Sequence, residues 1–248
     1  MALIYVPKGR AFEYSPLALN LYNGCDSECE YCYSPAALHM TKEEFGKPKL
    51  KADKNFMKTL AKEVNLLMRQ YNTKPILLCF SCDPYQKFDV EHKLTRQALQ
   101  ILLTNNQNVV ILTKGGQRSA RDFDLLVAYP SQVKYGCTLV FADDKRALEV
   151  EKGAPPTSER ILTLKEAHER GIKTWISLEP VFNPDDALKL IDLTHEFCDE
   201  YKVGKINHDH AAEAGVDWSK FAHDVIRKLV NLKKDYYIKT DLRDLMET

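Results

Sequence analysis

Apolar positions along this chain of 248 residues follow two alternating rhythms. Short runs rich in aliphatic and β-branched residues fall at 17–22, 76–81, 109–114, 133–140, 174–178 and 203–207, and the spacing predicts strands there. Between them apolar residues recur three and four apart. Phe56, Leu60, Val64 and Leu67 form one such stripe, and Leu94, Ala98, Ile101 and Leu102 another. The clearest amphipathic helix carries Trp218, Phe221, Val225, Ile226, Leu229 and Val230. Boundary residues agree. Pro155-Pro156-Thr157-Ser158 opens a helix expected to run to Arg170, with Gly171 as its stop. Asn183-Pro184 opens the next, and Asp185 and Asp186 suit its positive end. About six strands alternating with six helices predict βα units around a parallel sheet, in a single domain over 1–248. The periodicity leaves open a doubly wound sheet and a complete or partial βα barrel. In either, loops following the strands hold the ligand.

Composition narrows the class. With 44% hydrophobic and 28% charged residues, 10 Gly and 11 Pro, the chain is neither disordered nor collagen-like. The longest wholly apolar run spans only 76–80, far short of the ~20 residues a bilayer requires. The first ten residues lack the pattern of a signal peptide, so a soluble, cytoplasmic-type protein is expected. Thirty-five Lys plus Arg balance 35 Asp plus Glu. A protein that tracks a phosphate backbone usually has a basic surplus, so nucleic acid is disfavoured as a partner.

The seven cysteines carry the chemistry. An odd count without an export signal argues against a disulfide framework. Cys25, Cys29 and Cys32 form C-x3-C-x2-C in a loop at 23–35, after the first predicted strand. Three thiolates in one loop can ligate three irons of a cubane, leaving a fourth iron open to a small chelating molecule. Zinc is the rival, and it wants four ligands. Cys79 and Cys82 could add thiols, but three residues apart on a strand they would point to opposite faces. Incidental core cysteines are a third reading; Cys137 and Cys198 fit that one.

The motif resembles that of the radical S-adenosylmethionine superfamily. Further segments resemble its spore-photoproduct-lyase-like subgroup: Asn20 and Gly24-Cys25 in an Asn-x-x-x-Gly-Cys pattern, Cys29-x-Tyr31-Cys32-Tyr33, Asp83-Pro84-Tyr85-Gln86, Leu94-Thr95-Arg96, Leu112-Thr113-Lys114, Arg121-Asp122-x-Asp124-Leu125-Leu126, and Glu151-Lys152-Gly153-Ala154-Pro155-Pro156. The resemblance implies a partial (βα)6 TIM-type barrel and a [4Fe–4S] cluster held by Cys25, Cys29 and Cys32. It implies S-adenosylmethionine on the open iron, cleaved to a 5′-deoxyadenosyl radical, and an electron donor such as flavodoxin or ferredoxin.

It also implies residue roles. Tyr31 matches the position beside the adenine, and Tyr33 covers the cluster or the cofactor. Ser81, Cys82 and Asp83 end the second strand, where relatives hold the methionine amino group. Lys114 matches a lysine that pairs with the methionine carboxylate. Thr138 and Ser177 are further cofactor-binding candidates, equally readable as satisfied strand hydroxyls. One departure concerns the expected Cys-x-Ser-Asp of spore photoproduct lyase. This chain reads Phe80-Ser81-Cys82-Asp83, so the hydrogen-atom donor position holds Phe. Cys82 is the candidate donor, and photoproduct repair is disfavoured.

Substrate contacts are expected from Asp83, from Glu179 at a strand end, and from His208 and Asp209 after the sixth strand. Asp241, in a C-terminal segment 236–248 expected to close the mouth, is another. Three function classes stay open: a lyase on a small modified base, a nucleic-acid repair enzyme and a protein-modifying activase. Neutral net charge and the acidic residues Asp26, Glu28 and Glu30 in the cysteine loop favour the first. A guanine-like edge offers N–H donors that carboxylates accept, and queuine, a 7-deazaguanine, is the expected substrate.

Overall fold

A computed structural model describes residues 2–51, 55–207 and 209–246. Eight strands form one sheet: β1 (Ile4–Tyr5), β2 (Leu17–Leu19), β3 (Ile76–Leu78), β4 (Val109–Thr113), β5 (Val133–Thr138), β6 (Lys173–Val181), β7 (Glu200–Lys205) and β8 (Asp235–Ile238). They lie in sequence order, and every neighbouring pair is parallel except β1 with β2. Sequential order settles the architecture. A doubly wound sheet reverses its strand order at a switch point, whereas successive crossovers in one direction curl a sheet toward a barrel. The edge strands β1 and β8 are not paired with each other, so the barrel is partial and has an open flank.

Helices cover the outer face through their apolar stripes. Helix Phe56–Arg69 buries Phe56, Leu60 and Val64. Helix Leu94–Thr104 buries Leu94, Ala98, Leu99 and Leu102 among others. Trp218–Asn231 buries Trp218, Phe221, Ala222, Val225 and Leu229. The main apolar core lies between these helices and the sheet. Because successive strand residues face opposite ways, the alternate positions fill the concave side. Ala18, Leu77, Val110 and Trp175 form a second cluster there, with Tyr14, Phe80 and Leu112 packed against it. The Trp175 indole donates to the carbonyl of Ile111 at 3.0 Å. This apolar floor closes the bottom of the barrel beneath its mouth.

Several predicted strand limits change. The run 17–22 divides: β2 stops at Leu19, and Tyr22–Asn23 pairs with Lys49–Leu50 in a separate two-stranded ribbon. The side chain of Asn20 at the break explains the interruption. Its Oδ1 accepts from the backbone N–H groups of Phe80 (2.8 Å) and Ser81 (3.1 Å), and its Nδ2 donates to Tyr5 Oη (2.8 Å). The second run ends at Leu78, not 81, so Cys79 and Cys82 lie in a loop. Cys79 and Cys82 therefore do not alternate across a strand as expected, and both line the same cavity. β1 and β8 complete the sheet beyond the six expected strands.

Candidate functional site at the barrel mouth

Loops after the strands enclose a cavity of about 400 Å³. Cys25, Cys29 and Cys32 all line it, as do Tyr31, Tyr33, Ser81, Cys82, Asp83, Lys114, Thr138, Ser177 and Glu179. All seven cysteines of the chain are free thiols. Among the described residues, no three His, Cys, Asp or Glu side chains converge on one ion position. A cubane takes one thiolate per iron, spread around it, so three thiols along one cavity wall fit a cluster better than a lone zinc. Burial pushes the Cys25 thiol well up, and Asp83 adds to this. Burial also raises Cys29, to about 11, against the pull of Lys114.

The cysteine loop is templated by the segment after helix Asp144–Val150. Glu30 N–H donates to the carbonyl of Val150 (2.9 Å), Gly153 N–H to that of Ser27 (3.0 Å), and Cys29 forms a β-bridge with Glu151. Contact is so close that a Cβ on Gly153 would sit 1.8 Å from the Asp26 carbonyl oxygen. Asp26 in turn accepts from the backbone of Lys87 (3.0 Å) and Phe88 (2.8 Å).

Behind this loop lies a buried ion pair. Arg160 approaches Glu151 Oε2 at 2.6 Å, with the two side chains 1% and 0% exposed. Arg160 also donates to the carbonyls of Pro155 (2.8 Å) and Thr138 (3.2 Å). The other oxygen of Glu151 accepts from the Tyr31 hydroxyl and lies 4.0 Å from Lys114 Nζ. Burial and then Glu151 raise the Tyr31 pKa well above its usual value, so the phenol stays a donor. For Lys114, burial opposes the charge, but Cys29 and Glu151 outweigh it and the pKa rises. Lys114 Nζ also stands 5.6 Å from the Tyr31 ring centroid. The two cations against one carboxylate leave this wall able to accept an anionic group.

The opposite wall centres on Glu179. Trp175, Ser177 and Glu179 alternate on β6, so all three point into the barrel. Glu179 Oε2 accepts from the Tyr14 hydroxyl and from Lys239 Nζ (2.9 Å). Tyr14 Oη also lies 2.9 Å from Ser177 Oγ, and Lys239 Nζ sits 4.1 Å from the Tyr14 ring centroid. Burial, and then Glu179, hold the Tyr14 pKa well above its usual value.

Three expected substrate contacts are redirected. Asp83 spends its oxygens on Tyr85 N–H (2.7 Å), Thr113 Oγ1 (2.6 Å) and Lys114 N–H (2.5 Å). It therefore locks the loop after β3 to the end of β4. Asp209 is exposed and caps the short helix His210–Glu213 through Ala212 N–H (3.1 Å); it borders an outer depression beside the cysteine loop, not the barrel cavity. Asp241 pairs with Arg10 at 2.5 Å and does not line the cavity. His208 lies outside the described residues. Tyr33 is half exposed and packs on Phe80, with ring centroids 6.1 Å apart. Cys137 and Cys198 are buried away from the cavity lining.

Tyr14, Glu13, Lys202 and Arg160 were missed as site residues. Nothing local marks the first three, which meet only when the sheet curls. Arg160 carried one signal, an arginine inside a predicted helix whose next-door motif included Glu151.

No protein-family model matches the chain. It is 27% identical over 192 residues to an uncharacterized protein of Methanocaldococcus jannaschii, an alignment covering 76% of this chain and 70% of that one. An uncharacterized protein of Acidianus two-tailed virus is 25% identical over 183 residues, covering 68% of this chain and 56% of the viral one. Among solved structures, a spore photoproduct lyase variant with a dinucleoside spore photoproduct superposes with TM-score 0.69 at 12% identity, covering 91% of this chain and 76% of the lyase. Streptococcus suis SuiB bound to S-adenosylmethionine gives TM-score 0.61 at 15% identity, covering 89% of this chain and 45% of SuiB. A radical S-adenosylmethionine methyltransferase from Sphaerobacter thermophilus gives TM-score 0.57 at 15% identity, covering 90% and 65%. This chain thus spans less than half of SuiB and little more than half of the viral protein.

The fold is therefore the partial barrel of the radical S-adenosylmethionine enzymes. The C-x3-C-x2-C loop lies at the mouth of that barrel. Among the described residues no helix is long and apolar enough to cross a membrane.

Proposed function

We propose that this protein is a radical S-adenosylmethionine lyase that fragments a small modified nucleobase. The reading rests on one observation: the three motif cysteines, Lys114 and the carboxylate of Glu179 all face one cavity of about 400 Å³. That size suits small molecules. When bound, a [4Fe–4S] cluster on Cys25, Cys29 and Cys32 and S-adenosylmethionine supply a 5′-deoxyadenosyl radical. The chain's own residues position and shield. Lys114, backed by Glu151 and Arg160, offers a cation to the methionine carboxylate. Tyr31 is braced by Glu151 beside the cofactor position. Ser81, Thr138 and Ser177 offer hydroxyls around it. The apolar floor of Leu77, Val110 and Trp175 keeps water from the reacting centre.

The substrate we favour is queuine, cleaved at the bond between its secondary amine and the cyclopentenediol to leave 7-aminomethyl-7-deazaguanine. Glu179 supports this reading as an acceptor for the N–H donors of a guanine-type edge. A flavodoxin or ferredoxin would supply the electron. Cys82, in the cavity lining, is the candidate hydrogen-atom donor. Nucleic-acid lesion repair is the second reading, favoured by the superposition on spore photoproduct lyase, and modification of a peptide is a third, since one neighbouring structure is SuiB bound to its precursor peptide SuiA.

The test is anaerobic incubation of reconstituted protein with S-adenosylmethionine, reductant and each candidate in turn. Queuine-dependent formation of 5′-deoxyadenosine and the aminomethyl base is expected. Turnover of a lesion-bearing oligonucleotide, with binding that weakens steeply with salt, would overturn it.

A further inference from the structure

The partial barrel leaves its flank open between β1–β2 and β8, yet side chains bridge it. The segment Gly9–Tyr14 crosses from the first edge to the last. Glu13 Oε1 accepts from Thr240 N–H (2.8 Å), Thr240 Oγ1 (2.7 Å) and Tyr237 Oη (3.0 Å). Lys202 Nζ, on β7, donates to the carbonyls of Glu13 (3.0 Å) and Tyr14 (3.1 Å). Arg10 pairs with Asp241. This latch brings Tyr14 from one edge and Lys239 from the other onto a single atom, Glu179 Oε2. Lys239 is 3% exposed and also lies 3.6 Å from Glu13.

The two oxygens of Glu179 therefore differ. Oε2 is committed to two donors. Oε1 has no hydrogen-bond partner among the described residues, and the side chain lines the cavity. Gly204 on β7 makes room for this arrangement. A Cβ there would come within 3.0 Å of Glu179 Cδ and Oε1 and 3.1 Å of Lys239 Cδ. A carboxylate oxygen can accept two N–H donors.

We propose that Tyr14 and Lys239 are positioning residues that turn Glu179 Oε1 toward the ligand, making it the specificity carboxylate for the paired N–H donors of a 2-amino-lactam base edge. The proposal deepens the small-base reading given above. The latch lies beside the pair, and Lys239 Nζ sits 4.1 Å from the Tyr14 ring centroid. Glu179→Gln has a distinctive consequence. Both Tyr14 and Lys239 are donors, so the amide oxygen takes the place of Oε2 and the amide NH₂ faces the ligand. An acceptor becomes a donor, and N–H donors on the ligand are repelled.

The experiment uses cluster-loaded protein with S-adenosylmethionine bound. Two probes are titrated, 7-deazaguanine and its analogue without the 2-amino group, 7-deazahypoxanthine. The unmodified protein should bind the amino base about tenfold or more tightly. Glu179→Gln should erase that preference. Tyr14→Phe and Lys239→Met should reduce it and raise KM for queuine with little change in kcat. Unchanged iron content and S-adenosylmethionine affinity show that each variant is folded. Absence of a preference in the unmodified protein, or its survival in Glu179→Gln, overturns the proposal, as does failure of 7-deazaguanine to bind at millimolar concentration. Selective binding of the amino base with no turnover of queuine supports this inference and removes queuine cleavage. Turnover of queuine with KM unchanged in all three variants does the reverse.

Discussion

The two polar walls of the cavity are built by different routes. The wall under the cysteine loop is held by backbone pairing between residues 27–30 and 150–153, with a fully buried ion pair behind it. The latch wall is held by side chains, and its bonds join residues up to 227 apart in sequence. The first is a rigid template in which one misplaced atom, a Cβ at residue 153, meets backbone. The second is a seam whose charges remain partly reachable from water: Glu13 and Glu179 are 12% and 17% exposed. A desolvated charge is costly to leave without its partner, whereas a half-hydrated one recovers water. The template should therefore fail abruptly when altered, and the seam gradually.

The largest expected effect lies on the template side. Cys25→Ala, Cys29→Ala and Cys32→Ala should each abolish reductive cleavage of S-adenosylmethionine, with iron and sulfide falling well below about four of each per chain. Cys137→Ala and Cys198→Ala should leave cleavage intact. Full cleavage by any of the first three variants would sink the cluster assignment.

Next comes the ion pair behind the loop. Glu151→Gln leaves Arg160 buried without its countercharge, and breaking such a pair costs about 3 kcal/mol or more. The two carbonyls that Arg160 also reaches keep it from being wholly unsatisfied. Chemical denaturation of the metal-free protein reads the loss. Glu13→Gln, the matching change in the seam, should cost only about 1 kcal/mol by the same measurement, since hydrogen bonds to partly hydrated groups contribute modestly. Equal losses for the two variants would erase the contrast between the walls.

Lys114 tests function on the template wall without dismantling it. Its Nζ is 4.0 Å from Glu151 Oε1, but that oxygen already accepts from Tyr31 and the other is paired with Arg160. Lys114→Met should weaken S-adenosylmethionine binding about tenfold or more while the cluster still assembles. Unchanged affinity in calorimetry would return Lys114 to a packing role.

The same contrast explains what was legible in the sequence. Most of the template wall lies within short motifs, so Cys25, Cys29, Cys32, Tyr31, Lys114 and the Glu151–Pro156 segment could be picked out before any fold was known, while Arg160 could not. The alternation of strands and helices likewise gave the parallel sheet, because burial on both faces makes each strand a short apolar run. On the latch wall Ser177, Glu179 and the closing segment 236–248 could be named, but not what joins them. Tyr14 and Lys239 become neighbours only through the curl of eight strands, and neither sits in a distinctive local pattern. Asp83 and Asp241 misled for a related reason. A carboxylate at a strand end looks free in sequence, but one was taken by backbone donors and the other by Arg10. The second strand ended early because Asn20 anchors the following loop, a contact 60 residues away in sequence.

The smallest effect concerns the response of the seam to acid. Burial works against the charge on Glu13, but the donors on Thr240, with Lys239 and Tyr237, outweigh it and hold its pKa below the usual carboxylate value. A folded-state pKa below the unfolded one means that the unfolded chain binds the proton more tightly. The stabilisation is therefore complete above the unfolded value, roughly pH 4.3, and is lost as pH falls through the lower folded value. Amide hydrogen exchange at residues 9–14 and 239–243 of the metal-free protein, corrected for intrinsic rates, should lose protection on the order of fivefold between pH 5 and pH 3. Residues 150–153 should lose less, since their pairing is through backbone. In Glu13→Gln the protection of 9–14 should be lower at pH 5 and nearly flat below it. A seam whose protection stays constant in the unmodified protein down to pH 3 would show that Glu13 does not hold the flank shut, and would leave Arg10 and Lys202 as its fasteners.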